Sequence, residues 1–159
     1  MTPILTNMTP QEFLASPPEK LVLYPDPVLT AATREVTDLE PWKQIAPIMF
    51  DLMVKHRGCG LAAPQVGLSY SVFVLNVTKP MVVINPVIVE ANKGVWEETE
   101  GCLSLPGQKF KIVRPRRIKA RWIDLEGKEQ CATFEGWTGR AFSHEDDHLS
   151  GVLINTRRI

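Results

Sequence analysis

Apolar residues in the first third of the chain recur at helical spacing. Trp42, Ile45, Ile48, Met49, Leu52 and Met53 fall three or four apart, the stripe that an amphipathic helix turns toward a core. Thr37-Asp38-Leu39-Glu40 stands ahead of it with capping-box spacing, so the helix is expected to begin there and to reach about His56. Pro47 lies inside it and predicts a kink or one unbonded carbonyl. Thr9-Pro10-Gln11-Glu12 repeats the capping-box spacing with Pro at the first helical position. It predicts a short helix to about Ala15, stopped by Pro17 and Pro18. Tyr24-Pro25-Asp26-Pro27 reads as an irregular, turn-rich entry.

After Gly67 the period changes. Ser71–Val77 and Met81–Glu90 are short, rich in Val and Ile and punctuated by Pro80 and Pro86, which reads as strand. Further strands are expected at Lys109–Val113, Arg116–Asp124 and Glu129–Phe134, with Leu125-Glu126-Gly127-Lys128 as a hairpin turn between the last two. A final helix begins at Gly136 and ends near Gly151. Helix, strands, helix in that order predicts an α+β fold with mostly antiparallel sheets. Residues 1–18 read as an N-terminal appendage and 19–159 as a single domain.

Composition removes several functions from consideration. Lys+Arg and Asp+Glu are both 18, so the formal net charge is zero, and no basic excess argues for direct nucleic-acid binding. Arg114, Arg116, Arg117 and Lys119 form a local basic run, read as a solvated strand edge. No apolar run reaches the roughly 18 residues that a membrane span needs. Met1 to Pro18 lacks the basic start and apolar run of a signal peptide and contains Glu12 but no Arg, unlike a transit peptide. The three cysteines have no paired spacing, which fits a reducing compartment and predicts a cytoplasmic address. Cys59 and Cys131 are expected as buried, small apolar residues.

The chemistry concentrates in His144-Glu145-Asp146-Asp147-His148. On a helix, residues i and i+4 share a face, so both imidazoles can reach one metal ion with Glu145 beside it. A hydrolytic metal usually takes three protein ligands and leaves a fourth position for water. His56, the remaining histidine, sits by Gly58 at a helix end; Cys102 in Glu100-Gly101-Cys102-Leu103-Ser104 is the better third ligand. Asp147 is placed to anchor the helix or a ligand, and Asp146 is expected to be solvated.

Three segments together resemble the peptide deformylase family. Gly58-Cys59-Gly60-Leu61-Ala62-Ala63-Pro64-Gln65-Val66-Gly67 is similar to that family's first signature, Glu100 to Ser104 to its second and His144 to His148 to its third, in family order. The resemblance runs from about Leu21 to Ile154. It implies a peptide deformylase-like fold built around a C-terminal metal-binding helix. It also implies a hydrolase that removes the formyl group from the formyl-methionine of nascent peptides and releases formate. Cys102, His144 and His148 would hold one divalent ion: ferrous iron as the working metal, with nickel, cobalt or zinc able to replace it. Glu145 would be the acid–base group, and the Gln65 amide and the Leu103 backbone N–H would donate to the oxyanion. Gly60, Cys59, Glu100 and Arg140 would line the substrate side, and Lys109 stands where many relatives carry Arg. On residue type Arg140 reads equally as a solvated helix residue, and Ala141 and Phe142 are helix residues that could help form the methionine slot, whichever face they present.

Only Leu149 to Ile159 follow the second histidine. This is similar to short phage or organellar members that lack the C-terminal helix associated with ribosome docking, so ribosome docking does not carry over. The address for a phage-encoded member would be host cytoplasm, and a monomer is expected. Two other readings remain open. An HExxH endopeptidase needs a downstream His or Glu ligand, and the 11 residues after His148 (159 − 148) contain neither. A non-catalytic peptide-binding relative would be expected to lose Glu145 or Gln65, and both are present.

Overall fold

A computed structural model describes residues 7–157. Helix α1 (Pro10–Ala15) is capped as expected: Glu12 N–H donates to Thr9 Oγ1, and the Thr9 N–H donates back to the Glu12 carboxylate. Helix α2 (Glu40–Lys55) begins differently. Thr37 does not cap it; Asp38 accepts from the Glu40 N–H instead, and Pro47 is carried inside a continuous helix. The turn-rich entry resolves into one 3-10 turn, Pro27–Thr30, with the Asp26 carboxylate capping Val28 N–H.

Seven strands follow: β1 (Gly60–Ala62), β2 (Val72–Asn76), β3 (Pro80–Ala91), β4 (Val95–Cys102), β5 (Leu105–Pro115), β6 (Arg117–Ile123) and β7 (Glu129–Glu135). Five of them form one antiparallel sheet in the order β1-β2-β3-β6-β7, while β4 and β5 pair as a separate hairpin. The β6–β7 turn falls where expected, with Gly127 at φ +82. Strand β4 escapes a search for apolar alternation because its residues are mostly charged or small and only part of one face is covered. Helix α3 (Gly136–Leu149) lies against the five-stranded sheet, and a four-residue turn, α4 (Ile154–Arg157), packs on the β4–β5 hairpin. No helix among the described residues is long and apolar enough to cross a membrane.

Three apolar clusters fix these pieces. Phe13 of α1 is fully buried with Trp42, Ile45 and Met49 of α2 against β1 and β2, so the segment read as an appendage shares the main core. Phe73, Leu75 and Trp122 of the sheet meet Phe142 and Leu149 of α3. Val22, Leu29, Leu105, Ile112, Leu153 and Ile154 tie the hairpin to the segment between α1 and α2 and to the end of the described chain. Cys131 is exposed rather than buried: on edge strand β7 the alternation turns it outward with Thr133 and Glu135.

Candidate metal centre and its cleft

Helix α3 brings the two histidines one above the other, with ring centroids 5.3 Å apart. The end of β4 supplies Cys102, whose Sγ lies 3.4 Å from His148 Nε2. One ligand atom from each of Cys102, His144 and His148 falls within 4.8 Å of the other two. A soft sulfur with two imidazoles, closing three corners and leaving a fourth open to a cleft, suits a divalent ion. Burial holds the His148 pKa well below 6.5, in the neutral form that ligates. His144 differs: burial pulls its imidazolium down, but hydrogen bonds to Cys102 and Glu100 and the surrounding negative charge outweigh that and raise it to about 10. A cation among the three donors would take over the electrostatic role of that proton. His56 stays outside the cluster, with its ring 3.3 Å from the Glu19 carbonyl.

Behind these three side chains lies a buried charge network. Glu100 binds Arg114 through both carboxylate oxygens, at 2.7 and 2.9 Å, and its Oε1 lies 2.8 Å from His144 Nδ1. Arg140 completes the set from α3, donating to Glu100 and to the Trp96 carbonyl. Both oxygens of Glu100 are thus engaged, by Arg114 and His144, and the residue also borders the cleft. Burial alone would raise the Glu100 carboxyl, but His144 and Arg114 overcome it and hold it at about 2. Arg114 reaches on to Asp147 at 2.8 Å, and Asp147 is clasped by Arg157 at 2.6 and 2.9 Å.

Arg114 corrects the reading of a solvated basic edge, because it is only 3% exposed. Strand parity carried the signal: Ile112 and Arg114 are two apart on β5 and point the same way, inward. Arg116, Arg117 and Lys119 are exposed as expected. Asp146 is half-buried rather than solvated, and burial, reinforced by the Asp147 charge, raises its carboxyl to about 6.

The centre opens into a cleft of about 680 Å³, lined by Gly60, Gln65, Leu103, Arg140, Ala141 and Glu145 among others. Gln65 is oriented from both ends. Its Oε1 accepts from the Ala62 N–H at 2.9 Å, so its amide N–H groups point at Ser104 Oγ, 3.1 Å away, and Cys102 Sγ, 3.8 Å away. Ser104 is itself fixed by donating to the Val22 carbonyl. Glu145 is 5% exposed, its Oε1 has no hydrogen-bond partner, and burial raises its carboxyl to about 7. Cys59 is exposed at the cleft rather than buried, because the chain passes it at the mouth before turning into β1. Phe142 is fully buried against Phe73, with centroids 5.0 Å apart, and does not line the cleft. At 100° per residue it faces the sheet, while Ala141 faces the cleft. Trp137 was not anticipated: it is 53% exposed at the rim, edge-on to Trp96, with the Arg140 guanidinium 4.6 Å from the Trp96 ring centre.

Such a set, with a sulfur and two imidazoles on one wall, a carboxyl with one unpartnered oxygen beside them and an oriented amide opposite, has the parts of a metal-dependent hydrolase. Residues 18–158 match the family model for polypeptide deformylase. A peptide deformylase of Desulforudis audaxviator is 40% identical over 141 residues, spanning 87% of this chain and 92% of the relative. The crystal structure of peptide deformylase from Thermotoga maritima superposes with a TM-score of 0.86 at 39% identity, covering 88% of this chain and 97% of that one. The crystal structure of the Thermus thermophilus enzyme gives 0.85 at 42% identity, covering 87% and 84%. The chain belongs to the polypeptide deformylase family. It hydrolyses the formyl group from the N-terminal formyl-methionine of nascent polypeptides and depends on a metal to do so. These relatives are bacterial and lend no support to the phage half of the short-form resemblance.

Proposed function

We propose that Cys102, His144 and His148 hold one divalent ion, ferrous iron in the working enzyme, and that Glu145 carries the proton in deformylation. The ion would supply Lewis acidity, lowering the pKa of water and polarising the formyl carbonyl. Glu145 accepts a proton from the attacking water and returns it to the departing amine nitrogen, which splits the formamide into formate and a free peptide amino group. The Gln65 amide and the Leu103 backbone N–H donate to the oxyanion that develops between them. Such a donor is typically worth about 3 kcal/mol of barrier. Gly60 and Cys59 flank the incoming peptide, and Ala141 and Arg140 border the methionine slot.

The observation that carries this reading is the Glu145 carboxylate: buried, unpartnered at Oε1, on the cleft wall and raised to about 7. A buried acid with an unpartnered oxygen costs stability, and groups perturbed in this way cluster at functional sites. The test is formate release from a formyl-methionyl peptide by anaerobically prepared enzyme with its metal quantified, loaded in turn with ferrous iron, nickel, cobalt and zinc. Turnover highest with iron, and lost in Glu145→Ala at equal metal content, is the expected result. Turnover retained by Glu145→Ala overturns the proton assignment; zinc exceeding iron overturns the choice of ion.

A further inference from the structure

The deformylation chemistry leaves Arg157 without a task, yet its geometry is specific. It sits on α4, the last turn of the described chain, and clasps Asp147 with two hydrogen bonds, Nε to Oδ2 at 2.6 Å and an Nη2 N–H to Oδ1 at 2.9 Å. Asp147 immediately precedes His148 and also receives Arg114 at 2.8 Å. Arg114 continues to Glu100, and Glu100 to Nδ1 of His144. A line of alternating charge therefore runs from this turn to His144, by way of Asp147, the sequence neighbour of His148. The same turn has a second anchor: Leu153 and Ile154 are buried with Leu105 and Ile112 under the hairpin that ends in Cys102.

We propose that Arg157 is a positioning residue for the metal centre, locking the Cys-bearing hairpin and the His-bearing helix into one register. The hairpin and α3 belong to different elements, and no disulfide joins them among the described residues. The apolar side of α4 holds the hairpin while Arg157 holds α3, so the turn bridges the two halves of the ligand set. The two parallel N–H···O bonds fix direction as well as distance, which one ammonium contact does not.

Arg157 is 44% exposed, and an ion pair of that exposure contributes little to folding. Asp147, its partner, is only 16% exposed and lies one residue from a ligand. Loss of Arg157 should therefore be felt at the ion more than in the melting temperature. Residues that orient metal ligands typically change affinity by about tenfold or more when removed.

The inference rests on Cys102, His144 and His148 being the ligands, and the test separates the two claims. Cobalt-loaded holoenzyme is mixed anaerobically with excess chelator, and the appearance of the cobalt–chelator complex is timed for wild type, Arg157→Ala, Arg157→Lys, Cys102→Ser and the distant core variant Leu52→Ala. Arg157→Ala releasing cobalt about tenfold faster at a nearly unchanged melting temperature is the expected result, with Arg157→Lys between it and wild type. Release within twofold of wild type, while Cys102→Ser loses its ion at once, overturns the role of Arg157 and leaves the ligand set standing. Equal acceleration in Leu52→Ala and Arg157→Ala reduces Arg157 to a stability contact and likewise overturns the proposal. A Cys102→Ser variant that keeps cobalt like wild type removes the ligand set and the proposal with it.

Discussion

The carboxylate of Glu145 occupies the space that a side chain at residue 60 would need. A Cβ built on Gly60 would lie 2.6 Å from Glu145 Oε2 and 2.9 Å from Leu75 Cδ2. The constraint at residue 60 therefore comes from the Glu145 carboxyl and Leu75, not from its own backbone, which pairs with Leu75 as ordinary strand.

Gly60→Ala consequently folds but displaces Glu145. Misplacement of a catalytic group by about 1 Å can cost on the order of 100-fold in rate. A fall of that order in kcat, with metal content unchanged, is the expected outcome of steady-state assays. A variant with wild-type kcat would show that the carboxylate has room elsewhere.

Glu145→Gln keeps the shape of the side chain and removes its basicity. General acid–base catalysis is typically worth about 10²–10⁴-fold, and formate release should drop within that range. Metal content should not fall, because Glu145 is outside the ligand cluster. Metal loss in parallel with activity would make Glu145 a ligand instead.

Glu100 links the centre to acid stability. Its folded pKa is depressed from 4.5 to about 2, so its contribution is present above 4.5 and is lost as pH falls toward 2. Glu100→Gln leaves buried Arg140 without its carboxylate partner and Arg114 with Asp147 alone, and breaking a buried pair typically costs about 3–5 kcal/mol. Denaturant titrations of metal-stripped protein should show that deficit at pH 7 and a narrowing gap to wild type from pH 4.5 downward. A gap that stays constant to pH 3 would place the depressed carboxyl elsewhere.

Phe13 tests how far α1 belongs to the domain. It is fully buried, and truncating a buried Phe to Ala costs about 3–5 kcal/mol. Phe13→Ala should shift the single unfolding transition by that amount. A separate early transition would mean that α1 melts independently of the main core.

Local patterns were legible wherever one face of one element decides the outcome. The α2 stripe, the Thr9 capping box, the β6–β7 turn and the pairing of His144 with His148 all depend on residues within a few positions of each other. Strand β4 was missed because its pairing with β5 covers few apolar side chains. Thr37 failed as a cap because Asp38 reached the helix start first. Cys59 and Cys131 were expected buried on residue type, and Phe142 near the cleft on its neighbourhood in sequence; only the position of the element shows which side is covered.

The sequence by itself determined the donor chemistry, namely a thiolate, two imidazoles at helical spacing and a carboxylate between them, together with the family that carries it. The histidines and Glu145 follow from separations of one helical turn, and Cys102 from its place in the second of the three family-like segments. Only the tertiary structure decided that Glu100 serves His144, that Arg114 is an internal tie, and that Arg157 clasps the helix from the end of the described chain. Each of these contacts joins residues ten to 44 positions apart. Over such separations the chain's pattern is silent, and the packing of hairpin, sheet and helix selects the partner.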